Sequence, residues 1–285
     1  MIRSRRLTVP LVAVLLALAT GVALGAGPLT DTRSSAAEPD QTAPAAPSVA
    51  PYPDQFAAAV SAQLYAGRLA RRPVALVTMP GADPATVSAL TSQVKGAGGQ
   101  VSGVYAVGSQ LVDPQQKSLV DTLGTELNKE LNAPVSKTAT TYPRIGQLLA
   151  VAVATPGSQP RQPTDDVIAV RQSLVAAHLL AVPQGSPAGA PLVLVVMGRP
   201  VDQAIADGLL TGLAARSRGV VAVAPTKDAT LAALDADGVT RTVTTVDGTE
   251  TSAGRVAAVL GLVRAWNTQG GAYGASGVKG AVPLR

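Results

Sequence analysis

The sequence has no cysteine, a single histidine (His178), one phenylalanine and one tryptophan. The missing cysteine excludes disulfides, iron–sulfur clusters and thiolate metal sites. One histidine excludes a multi-histidine zinc or copper cage within a protomer, and any histidine-based triad would have to use His178. Phe56, Trp266 and five tyrosines are too few for a base-stacking platform or for the aromatic girdles of a membrane barrel. Charge is sparse as well. Lys and Arg number 23 against 18 Asp and Glu, a net of +5, and they form no basic stripe, so no nucleic-acid partner is expected.

Residues 7–26, LTVPLVAVLLALATGVALGA, form an apolar run without a charge, enough helix to cross a bilayer. Arg3, Arg5 and Arg6 precede it and the far flank begins with Asp31, which orients the N-terminus toward the cytoplasm and exports the rest. The run is longer than an ordinary signal-peptide core and reads as an uncleaved anchor within residues 1–27. The cleaved alternative also has small residues to work with, at Gly21-Val22-Ala23. Residues 28–53 carry prolines at 28, 39, 44, 47, 51 and 53 and read as an extended, mobile tether.

Residues 54–269 alternate short β-rich runs with amphipathic helices. Asp54 is placed to cap a short helix with Phe56, Val60 and Leu64 at four-residue steps. Strands are expected at 73–79, 101–107, 191–197, 220–224 and 240–246. Helices are expected from Pro84 (Val87, Leu90, Val94), over 114–131 (Leu119, Leu123, Leu127, Leu131), 145–153 and 164–181. Two more follow, along Val201, Ile205, Leu209 and Leu213, and over 252–266 (Val256, Val259, Leu260, Val263). Strands apolar throughout and separated by helices imply a mainly parallel sheet covered on both faces. The expected class is therefore α/β, a Rossmann-like three-layer domain. Residues 270–285 are glycine-rich and aperiodic, and read as a loose tail.

Motifs of nucleotide chemistry are missing. The loop after the first strand, Met79-Pro80-Gly81-Ala82-Asp83-Pro84, has one glycine where a dinucleotide fold wants three, and no Walker sequence occurs. Gly96, Gly98 and Gly99 follow a helix and suit its stop. His178 is expected on the 164–181 helix, on the face of Val167, Val170 and Leu174, as a packing residue. Asp165 and Asp166 complement that helix's dipole. No catalytic or cofactor-binding residue is assigned, and without G-x-S-x-G a hydrolase is disfavoured.

The candidate metal residues are Met79, Met197 and Asp247. The two methionines each end an apolar strand, where ligands of open parallel sheets bind, and thioethers suit Cu(I). If their strands are neighbours, both sulfurs face one crevice; otherwise flexible Met fills the core rim. Asp247, in Thr245-Val246-Asp247-Gly248, either coordinates a cation or makes the turn before the last helix. Asp247 or Glu250 is a candidate partner for Arg255.

Three stretches together resemble the MctB-type copper transport protein family. They are the basic residues followed by LVAVLLALATGVALGAGPL, the PVALVTMPGAD segment within the alternating middle, and TTVDGTETSAGRVAAVLGLVRAWNTQGGAYGASG at residues 244–277. The resemblance implies a membrane-anchored envelope protein connected with copper export or tolerance, for which an outer-membrane channel role has been proposed. This chain departs from the family pattern in two places. Its Pro-rich segment stands where a coiled coil is usual, and residues 271–277 lack the histidines some members carry. A lipid-spanning barrel also needs strands of about ten residues alternating apolar and polar, unlike these.

The resulting expectation is a noncatalytic protein of copper transport or homeostasis. It would be held in the cell membrane by one N-terminal pass with its domain outside the cytoplasm, or lie in the envelope or outer membrane if the leader is cleaved. Copper, the membrane, envelope proteins and a second copy are the partners this admits. The alternative is a structural or interaction module of the envelope that binds no metal.

Overall fold

The computed structural model describes residues 52–130, 135–185 and 187–284. The apolar run 7–26, nearly all of the Pro-rich segment and Leu131 lie outside the described residues. Among those described, no helix is long and apolar enough to cross a membrane.

The fold is mixed α/β. Its strands are β1 (Pro73–Thr78), β2 (Gln100–Val107), β3 (Leu180–Ala181), β4 (Leu192–Val196), β5 (Gly219–Ala224), β6 (Thr244–Asp247) and β7 (Gly271–Tyr273). They form one sheet in the order β3-β2-β1-β4-β5-β6-β7, parallel except for β3. The helices are α1 (Tyr52–Tyr65), α2 (Pro84–Gly96), α3 (Ser109–Val112), α4 (Lys117–Glu130), α5 (Thr141–Val153), α6 (Asp165–Ala176), α7 (Gln203–Ala215), α8 (Ala229–Ala236) and α9 (Ser252–Ala265).

Strands β4 and β5 are buried along their whole length, and β1 up to Val77, because side chains alternate between two helix-covered faces. Val74, Leu76, Leu192, Leu194, Val221 and Val223 pack with α2 and α9 on one face. Ala75, Val77, Val193, Val195 and Ala222 pack with α4 to α8 on the other. Among the described residues, both cores draw on residues 65–273, inside the compact unit Ala50–Arg285.

The two helices α5 and α7 are unusually close. A side chain at Gly208 would meet Tyr142 Cβ at 2.4 Å, and one at Gly212 would meet the Pro143 carbonyl oxygen at 2.5 Å. Two glycines four apart on α7 thus let it lie directly on the backbone of α5.

Several boundaries differ from expectation. Residues 239–241 form a 3₁₀ turn, so β6 begins only at Thr244. The helix expected over 164–181 stops at Ala176. Leu179 N–H donates to the Leu174 carbonyl at 2.9 Å and His178 N–H to that of Val175 at 3.0 Å, the paired bonds of a Schellman ending. The chain then turns back as β3. Helix α8 was not anticipated. The glycine-rich end is not a loose tail, because residues 271–273 pair with β6 as β7. Strand β2 is partly exposed, since only the two residues of β3 pair with it on that side.

Asp54 does not cap its own helix. It sits in the first turn of α1, and its carboxylate accepts hydrogen bonds from Ser252 N–H and Oγ at the start of α9. The face of α1 that meets α9 therefore carries Asp54, Ala57, Ser61 and Tyr65. Of the apolar stripe read from the sequence, Phe56 (56% exposed) and Leu64 (38%) are turned outward and Val60 is half-buried.

Candidate functional site

Strand order reverses direction between β1 and β4, and there the two candidate methionines lie side by side. The register Val77↔Val195 and Thr78↔Val196 carries on into Met79 and Met197. Met79 N–H donates to the Val196 carbonyl at 2.9 Å, and Met197 N–H to that of Val223 at 2.8 Å. Period-two alternation then sends both thioether chains to the α5/α7 face, where they are 6% and 3% exposed.

The two loops beyond them are laced together. Arg199 N–H donates to the Pro80 carbonyl at 2.8 Å, and a side chain at Gly198 would come within 2.3 Å of Ala82 N. Only glycine allows that crossing.

Met79 and Met197 line one small cavity of about 10 Å³, walled otherwise by residues such as Val77, Leu149, Val195 and Leu209. That is about the space of one water molecule, but the lining is apolar, so a water there would lack the polar partners it needs. Met79 and Val107 also line an open cleft of about 450 Å³ above the carboxyl ends of β1 and β2, with Thr78, Pro80 and Ala82. Met79 thus stands between the surface and the buried space. Chemically the pair offers two soft, uncharged sulfur donors in a dry setting, the kind of donor that favours Cu(I) over hard or borderline cations.

Asp247 does not join them. It ends β6, two strands away from β4, and is 4% exposed. Its carboxylate accepts hydrogen bonds from Ser276 N–H at 3.0 Å, Lys227 N–H at 3.3 Å and Ser276 Oγ. It pins the segment after β7 to the sheet edge, and a side chain at Gly274 would strike its Oδ1. Arg255 pairs with neither acid expected for it. Its guanidinium donates to the carbonyls of Thr249 and Glu250 at 3.0 Å each, while the Glu250 carboxylate accepts from Thr226. His178 is exposed with φ 55, just past the end of α6, and is not a packing residue. No cluster of three or more His, Cys, Asp or Glu suited to a metal occurs among the described residues.

Sequence reasoning missed two charged sites. Arg161, Thr164, Asp166 and Arg216 surround a cavity of about 280 Å³ between the α5 end and the α6 start. Burial lowers the Arg216 pKa, and its Nε has no partner among the described residues. On α7, Asp207 is pushed up to about 6, first by burial, then by its hydrogen bond with Asp237 and by the charges of Asp237 and Asp202. Each gathers residues 30 or more positions apart, or from different elements, which no local pattern reveals.

The family model for the copper transport outer membrane protein MctB matches residues 1–283, nearly the whole chain. The chain belongs to the MctB family. No curated protein matches it. MctB is named as an outer-membrane protein of copper transport. The match runs through the Pro-rich segment and the apolar N-terminus as well as the α/β unit.

Proposed function

We propose that this MctB family member is a noncatalytic protein of copper transport in the cell envelope, held by a single N-terminal pass with its α/β domain outside the cytoplasm. Its working part is the thioether pair Met79 and Met197, which takes Cu(I) between β1 and β4. The observation that carries this reading is the meeting of those two methionines on one dry cavity, with Met79 also facing an open cleft. Strand order supports a Rossmann-like description, because ligands of such sheets bind where the order reverses, and the pair lies at that point. Asp247 has no part in it, its oxygens being committed to Ser276 and Lys227.

The test is a Cu(I) titration of residues 50–285 against a competing chelator, beside the double variant Met79→Leu/Met197→Leu. Leucine conserves volume at little cost in stability, so the variant keeps its fold. The wild-type domain should withdraw Cu(I) from the chelator and the variant should not. Equal competition by the two would remove the thioether site.

A further inference from the structure

We infer that the outward face of α1, with the arginine turn that follows it, docks on an anionic phospholipid surface. Tyr52, Phe56, Val60 and Leu64 follow one another at four-residue steps along this helix. In a domain helix such a stripe normally turns inward. Here the inward face is Asp54, Ala57, Ser61 and Tyr65, because Asp54 is drawn to Ser252 of α9. Tyr52 is left 77%, Phe56 56% and Leu64 38% exposed, with Val60 half-buried at the edge of this face and the rings of Tyr52 and Phe56 6.4 Å apart.

Charge selects the occupant. Between Asp54 and Asp83 there is no acidic residue, whereas Arg68, Arg71 and Arg72 follow the helix. Arg68 and Arg71 are exposed, and Arg72 lies 4.8 Å over the Trp266 ring, which fixes the turn beside the end of α9. Aromatic residues beside arginines, with no acidic residue on the helix or its turn except Asp54, which is held by Ser252, are the composition that partitions to an anionic membrane interface. A second copy is a poorer occupant. A helix of 14 residues offers a face about 21 Å by 10 Å, on the order of 200 Å², against the ~800 Å² per partner of a stable protein interface.

The inference is independent of copper, and its failure leaves the thioether reading intact. Residues 50–285 are sedimented with vesicles of pure phosphatidylcholine and with an equal mixture of phosphatidylcholine and phosphatidylglycerol. Binding is expected to the mixture and to fall as salt is raised. Phe56→Ala should weaken it about tenfold through lost apolar burial. Arg68→Gln and Arg71→Gln should each weaken it about fivefold. Both positions are exposed, so thermal unfolding should not change and the loss cannot be ascribed to misfolding. Equal binding to both vesicles, no binding to the mixture, or an unaffected Phe56→Ala would overturn the inference. So would lipid-free self-association that Phe56→Ala abolishes, which would make the face a protein interface.

Discussion

Replacing Gly212 by alanine probes how closely α5 and α7 must lie to roof the methionine cavity. The added Cβ would sit 2.5 Å from the Pro143 oxygen, 2.7 Å from Gly146 Cα and 2.8 Å from Gln147 N, all backbone atoms that cannot rotate aside. Ordinary contact begins near 3.4 Å, so 3.4 − 2.5 requires the helices to part by about 0.9 Å. Overpacking of this kind costs about 1–3 kcal/mol, and the rigid partners place it in the upper part of that range. Alanine returns about 1 kcal/mol of helix propensity. The net loss should be about 1–2 kcal/mol, or a Tm lowered by roughly 2–8 °C for a domain of this size. Urea unfolding followed by circular dichroism measures it. Gly96→Ala, in α2, is the control: nothing lies within 4 Å of its added carbon, so the same propensity gain should appear there as neutral or improved stability. A Gly212→Ala protein as stable as wild type would show that the glycine seam does not set the α5–α7 spacing.

The Asp207 carboxyl has an ordinary value of 3.8 and is raised to about 6 in the fold, so the folded chain holds this proton more tightly than the unfolded one. Its stabilising contribution is fully present below about 3.8 and is lost as pH rises through about 6. Asp207→Asn should therefore flatten the urea midpoint across that window and raise it at neutral pH; an unchanged pH profile would refute the assignment. His178 occupies a left-handed position at φ 55, so His178→Gly should add about 0.5–1 kcal/mol, and a loss of stability would contradict the strain assigned to it. Asp247→Ala removes the buried, charged acceptor of three hydrogen bonds, from Ser276 N–H, Ser276 Oγ and Lys227 N–H, and should cost about 1.5–3 kcal/mol. Hydrogen exchange at residues 271–280 should rise together with that loss. Unchanged exchange there would mean the carboxylate does not anchor the segment.

The central strands were legible because β1, β4 and β5 are unbroken apolar runs between helices, a pattern only doubly covered parallel strands need. What misled was local. Residues 239–243 are rich in Val and Thr, yet Gly238 at φ 74 starts a 3₁₀ turn there. Strands β3 and β7 have two and three residues, too few for alternation to show. The helix carrying Phe56 was legible from its four-residue steps, but the side it turns inward was not, since the Asp54–Ser252 contact that orients α1 spans 198 positions. The pairing of Met79 with Met197 followed from two strand ends once those strands became neighbours. Asp247 could not be excluded from that group without the strand order, which inserts β5 between β4 and β6.

The chain has only three methionines, and Met1 is not part of residues 50–285. Labelling the methionine methyl groups of that domain with ¹³C therefore gives two native-sequence signals, from Met79 and Met197, apart from any initiator residue. On addition of one equivalent of Cu(I), or of Ag(I) as its redox-stable stand-in, both signals should move together and stop moving once the metal is equimolar. Signals that stay in place while the metal binds elsewhere, or that do not respond at all, would contradict a copper site built on these two thioethers.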